Sequence, residues 1–86
     1  MKALTNNEKA LVEDALNNYL TWFDGDIPGD KENIDSIKDA LQSEDYSRYV
    51  NLDNAISDWI SNLEEADSIG YAQEIGMLEN VLENKL

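Results

Sequence analysis

The chain has 86 residues, no Cys and no His, and 19 acidic against 6 basic side chains, a formal net charge of −13. The missing residue types exclude disulfides, thiolate or imidazole zinc sites, Cys nucleophiles and His-based acid–base catalysis. With 42% hydrophobic residues it is too apolar for a disordered acidic tail, and residues 1–86 are expected to form one acidic helical domain.

The first predicted helix starts at Thr5, because Thr5-Asn6-Asn7-Glu8 matches the capping box, with a hydroxyl at N-cap and a carboxylate at N3. Leu11, Val12, Ala15, Leu16, Tyr19, Leu20 and Phe23 follow at helical period, and the Gly- and Pro-bearing stretch Asp24–Asp30 ends the helix. A shorter helix is expected over 31–42, with Ile34, Ile37 and Leu41 inward, and Ser43-Glu44-Asp45 separates it from the third. The third stripe is the most regular: Tyr49, Leu52, Ile56, Trp59, Leu63 and Ala66, widened by Ile60. Asp67-Ser68 breaks the phase and offers an N-cap. The last stripe runs through Tyr71 or Ala72, Ile75, Leu78, Leu82 and Leu86, and Gly70 and Gly76 weaken it.

No segment alternates with the period of a strand, so the chain is expected to be all-α, a compact four-helix antiparallel bundle. Its expected core is Leu11, Leu16, Leu20, Ile37, Leu41, Ile56, Trp59, Ile60, Leu63, Ile75, Leu78 and Leu82. Ala15-Leu16-Asn17-Asn18-Tyr19-Leu20 shares its polarity pattern with Ala55-Ile56-Ser57-Asp58-Trp59-Ile60. Two related helical hairpins would explain that echo, and so would independent selection for a core-facing stripe. Trp22 and Tyr46 fall off the phase of their helices; partial burial at a helix end is expected, with an exposed interface anchor as the alternative.

The stretch Phe23–Asp35 resembles an EF-hand calcium loop. Counted from Asp24, Asp26 takes the third position, Gly29 the sixth, Glu32 the ninth and Asp35 the twelfth. The resemblance implies a calcium site drawing on Asp24, Asp26, Asp30, Glu32 and Asp35. The sequence departs from the pattern where Pro28 replaces the fifth-position oxygen donor, Lys31 replaces an apolar eighth residue, and Asp35 is shorter than the closing Glu. The alternative is an acidic interhelical loop in which Pro28-Gly29 turns the chain and Asp30 caps the next helix. That alternative is the expectation here, with no metal and no cofactor.

An enzyme is not expected, since P-loop, nucleophile-elbow and dinucleotide signatures are all missing from the sequence. No apolar run approaches the roughly 20 residues of a membrane span, and the start lacks a signal-peptide core, so a cytoplasmic protein is expected. A net charge far beyond the roughly 2–8 that solubility asks of a small domain favours a partner with a large positive surface. Such surfaces mostly grip nucleic acid, whose phosphates carboxylates on successive helical turns can imitate. Direct binding to nucleic acid or to membrane is disfavoured by the same charge.

The expected function is therefore a small acidic inhibitor, a nucleic-acid mimic of the phage anti-CRISPR, anti-restriction or nuclease-immunity type. The Tyr-Tyr-Pro signature of colicin DNase immunity proteins is missing. The alternatives are a helical adaptor or assembly protein, and a metal-binding helix-loop-helix protein. The expected contact residues are the densest acidic stretch, Asp24, Asp26, Asp30, Glu32, Asp35, Asp39, Glu44 and Asp45, interrupted by Lys31 and Lys38. The sequence names neither the partner nor an oligomeric state.

Overall fold

The first helix, α1 (Asn6–Leu20), begins where the capping box places it. The Glu8 amide donates to Thr5 Oγ1 at 3.2 Å and the Thr5 amide to Glu8 Oε1 at 2.8 Å, so two orphan donors of the helix end are satisfied reciprocally. In the computed structural model, which describes residues 2–86, α1 is followed by α2 (Pro28–Ser43), a 3-10 turn (Tyr46–Arg48), α3 (Leu52–Asp67) and α4 (Ala72–Asn84). The described residues contain no strand. The result is the all-helical bundle that the four stripes call for.

Helix α1 is the hub. It packs on α2, α3 and α4; α3 packs on α4; and α2 packs also on the 3-10 turn. The principal extents of 38 × 28 × 18 Å leave room for only two helix layers in the thin direction. The buried core takes Val12, Ala15 and Leu16 from α1, Ile37 and Ala40 from α2, and Leu52, Ala55, Ile56, Ile60 and Leu63 from α3. Ile75, Leu78 and Val81 complete it from α4, with Leu11, Leu20, Leu41, Trp59 and Leu82 packed half-buried at its margin.

The sequence echo has a structural counterpart. Its two copies lie on α1 and α3, which pack together, and the matching positions Asn18 and Asp58 are joined by a 2.9 Å hydrogen bond from Asn18 Nδ2 to Asp58 Oδ2. Ala15 and Ala55, also matching positions, are both fully buried. Their small side chains suit a close helix approach.

Several local expectations are corrected. Helix α2 starts at Pro28, three residues before the expected 31, because Pro is pre-organised for the first helical position rather than confined to a turn. The N-cap is Ile27, which makes no side-chain cap, and not Asp30. Tyr49 continues the phase of the third stripe but precedes α3, in the connection that also holds Tyr46. Both tyrosines are buried, at 1% and 2% exposure, so Tyr46 is no surface anchor. Tyr46 donates from its hydroxyl to Glu13, and Tyr49 Oη donates to Asn33 Oδ1 at 3.2 Å. The turn thus acts as an aromatic plug between α1 and α2. Trp22, by contrast, is 65% exposed rather than partly buried. In the last helix the N-cap is Tyr71, neither Asp67 nor Ser68, and Gly70 lies in the preceding turn. Ala66 and Leu86 are exposed, and Val81, absent from the expected stripe, is fully buried, with Leu82 half-buried against the core.

Glu8 is the buried charged residue of the described chain, at 4% exposure. Beyond its cap, its carboxylate accepts from Lys85 Nζ at 2.6 Å and from Asn80 Nδ2 at 3.3 Å. The Lys2 amide donates to the Lys85 carbonyl at 2.8 Å alongside it. This clasp fastens the start of α1 to the end of α4.

Candidate functional site

Ile37 and Ala40 are fully buried and fix the inward direction of α2. At about 100° per residue, Glu32, Asp35 and Asp39 then fall on the opposite side, and all three are exposed. The helix has 16 residues, so this outer face is about 24 Å long at 1.5 Å per residue. Lys31 and Lys38 are exposed along one flank. Because α2 is held by α1 and the 3-10 turn alone among the larger contacts, its outer side stays open.

At the N-terminal end the acidic groups are tied into the loop itself. The Asp24 amide donates to Asp30 Oδ2 at 3.0 Å and the Asp26 amide to Asp24 Oδ1 at 2.9 Å, and the Ile27 amide donates to the Asp24 carbonyl. Negative charge here also meets the positive end of the α2 dipole. Trp22 and Ile27 are exposed in the same segment, Ile27 at 51%. Both flank Asp24 and Asp26 in the chain, so exposed apolar and acidic residues share the loop that leads into α2.

The C-terminal end is different. Glu44 leaves α2 with φ 57°, the left-handed conformation usually given to Gly at this position. The chain then returns as the 3-10 turn and brings Arg48 to Asp39 at 2.9 Å and to Asp45 at 3.5 Å. The hydrogen bond to Asp39 holds the Arg48 guanidinium above its ordinary range, with Asp45 adding to it. Asp45 is lowered chiefly by the hydroxyl of Ser47, which donates to Asp45 Oδ1 at 2.6 Å, and by Arg48. Two of the expected contact carboxylates are thus already engaged by a cation. Sequence reading missed Arg48, although Asp45 and Arg48 stand three residues apart and could have signalled a local pair.

The eight expected residues do not form one cluster. Asp24, Asp26 and Asp30 gather at the start of α2, Glu32, Asp35 and Asp39 run along its outer face, and Glu44 and Asp45 lie past its far end. The same geometry departs from that of a calcium loop. From Pro28 onward the segment is helical, so Asp30, Glu32 and Asp35 project from successive turns instead of wrapping around a centre. Gly29 does not adopt the positive φ of a sharp turn. Among the described residues no three acidic side chains are grouped so that they could hold a metal ion.

Comparison with protein-family models, with curated proteins and with solved structures gives no match for this chain. Among the described residues no helix is long and apolar enough to cross a membrane.

Proposed function

We propose that the chain is a small acidic inhibitor, acting in the cytoplasm, that occupies a basic nucleic-acid-binding surface of a target protein. A phage anti-CRISPR, anti-restriction or nuclease-immunity role belongs to this class. The observation that carries the reading is the outward stripe of Glu32, Asp35 and Asp39 on α2, which packs mainly on α1 and the 3-10 turn, continued at one end by Asp24 and Asp26. Carboxylates one helical turn apart, about 5–6 Å between Cβ atoms, present negative charge at a spacing near that of backbone phosphates. Trp22 and Ile27 at the end of the stripe add exposed apolar area of the kind that anchors an interface. Long-range attraction would speed encounter with a basic partner and would be weakened by salt.

The test is capture from lysate on the immobilised chain at low salt, elution at high salt, and displacement of the captured protein by excess duplex DNA or RNA. The Asp35→Lys, Asp39→Lys double variant should slow association with that protein at low salt while keeping its helical circular dichroism. A captured partner that nucleic acid does not displace overturns the mimic reading. Unchanged association of the double variant moves the contact away from α2.

A further inference from the structure

Of the four glycines only Gly25 follows an Asp or Asn, so Asp24-Gly25 is the one step of its kind in the chain. Both residues are exposed in the loop between α1 and α2. The Asp26 amide donates to Asp24 Oδ1 at 2.9 Å, which turns the Asp24 carboxyl back along the intervening Gly25 peptide. The Gly25 amide itself donates to no acceptor among the described residues. Gly25 does not take a positive φ, and a methyl group on its Cα would meet nothing within 4 Å. Neither backbone conformation nor packing therefore requires glycine here. What glycine does supply is an unhindered main-chain nitrogen next to an exposed carboxyl.

We propose that Asp24-Gly25 is a site of self-modification, where the chain converts slowly to an isoaspartyl linkage. From the acid form of the Asp24 carboxyl, the Gly25 nitrogen bonds to Cγ while one Cγ–O bond breaks. The Gly25 amide proton and the departing hydroxyl leave as water, and a five-membered succinimide remains. Water then adds to one of its two carbonyls. Addition at Cγ breaks the new C–N bond and restores aspartate. Addition at the main-chain carbon breaks the original peptide bond, so the chain continues through Cβ and Cγ. The two steps release one water and consume one, with no oxidant, reductant or other co-reactant. Charge is conserved, because the former main-chain carbonyl becomes a free carboxylate. Geometry is not. The main chain gains a carbon, and two acceptors are displaced: the Asp24 carbonyl, bonded by the Ile27 amide at 3.1 Å, and Oδ1, bonded by the Asp26 amide. The modification thereby opens the turn that leads into α2 at unchanged net charge. The inference stands apart from the proposed function and needs no partner.

The experiment ages the folded chain for weeks at neutral pH and body temperature, then digests it with trypsin, which isolates Asp24 in the peptide 10–31. Electron-transfer fragmentation locates isoaspartate along each peptide, and methylation by a protein isoaspartyl methyltransferase measures its amount. The peptide should split into two species of equal mass, with isoaspartate at Asp24 severalfold above that at Asp35. Asp35 also precedes a small residue, Ser36, but lies inside α2, where main-chain amides are tied to the preceding turn. Gly25→Val should suppress the product severalfold, because a branched side chain crowds the attacking nitrogen. The open space at this position lets that variant keep the fold, which helical circular dichroism checks. In the purified isomer the Asp26 and Ile27 amides should exchange with deuterium faster than in the fresh chain. Isoaspartate at Asp24 no higher than at Asp35, or unaffected by Gly25→Val, overturns the proposal. So does isoaspartate that forms in the urea-unfolded chain and not in the folded one, because the loop then holds the two atoms apart. Equal exchange of the two amides overturns the opening of the turn.

Discussion

Glu8 and the outer face of α2 carry the same functional group to opposite ends. The Glu8 carboxylate is buried and accepts from Thr5, Lys85 and Asn80, so the cost of taking a charge out of water is offset on every side. Glu32 and Asp35 are exposed, and among the described residues neither lies within ion-pair distance of a base. Burial without partners would have been intolerable for Glu8, whereas solvent tolerates Glu32 and Asp35 as they are. The first carboxylate belongs to the fold. The others contribute repulsion to the fold and are open to something outside it.

The largest break between the two regions should come from stability. Glu8→Ala removes the capping-box acceptor and the partner of Lys85, and should cost about 2–4 kcal/mol in urea unfolding. Glu32→Gln with Asp35→Gln, at two carboxylates that pair with no base among the described residues, should leave the urea midpoint unchanged or raise it. Similar losses in both variants would erase the distinction drawn here.

Acid should separate the regions next. The hydrogen bond from Lys85, then that from the Thr5 amide, draws the Glu8 pKa down from 4.5 to about 2 against the opposing effect of burial. A folded-state pKa below the unfolded value means that proton uptake favours the unfolded chain. The clasp therefore contributes fully above pH 4.5 and is lost as the pH falls toward about 2. The melting temperature should drop across that window in the native chain and less steeply in Glu8→Gln. Parallel slopes would show that Glu8 is not the group responsible.

A smaller effect is expected at the far end of the acidic face. Glu44→Gly relieves a left-handed backbone that disfavours a side chain by roughly 1–2 kcal/mol, and should raise stability by about 1 kcal/mol after the added freedom of Gly in the unfolded chain. The smallest effect is that of salt. Moderate salt should raise the melting temperature of the native chain by screening its net charge, and raise that of the Asp35, Asp39 double reversal less.

What could be read in advance divides along physical lines. The helices and most of their inward faces were legible because period and capping are local. Thr5 and Glu8 stand three residues apart, and both bonds of their box are present. The bond from Lys85 to the same carboxylate spans 77 residues, and nothing near either position encodes it. Pro28 was legible as punctuation but not as an opening, since a residue that breaks one helix is equally fit to begin the next. Tyr46 is buried more fully than the partial burial expected of it, because phase was counted along a helix that does not exist there; the 3-10 turn points it inward by a different rule. The acidic residues of the candidate site were legible as a list, yet the division into loop, face and Arg48-paired end needed the fold.

The clasp also bears on how quickly the molecule comes apart. A contact spanning 77 residues can form only after the intervening helices have largely assembled, because closing so long a loop early costs entropy without return. Such a contact is weak or missing in the folding transition state, so its strength is felt mainly on the way out. Loss of Glu8 should thus accelerate unfolding and leave the folding rate nearly as it was. The buried carboxylate is in this sense a latch on the lifetime of the folded chain, set apart from the speed at which that chain is made.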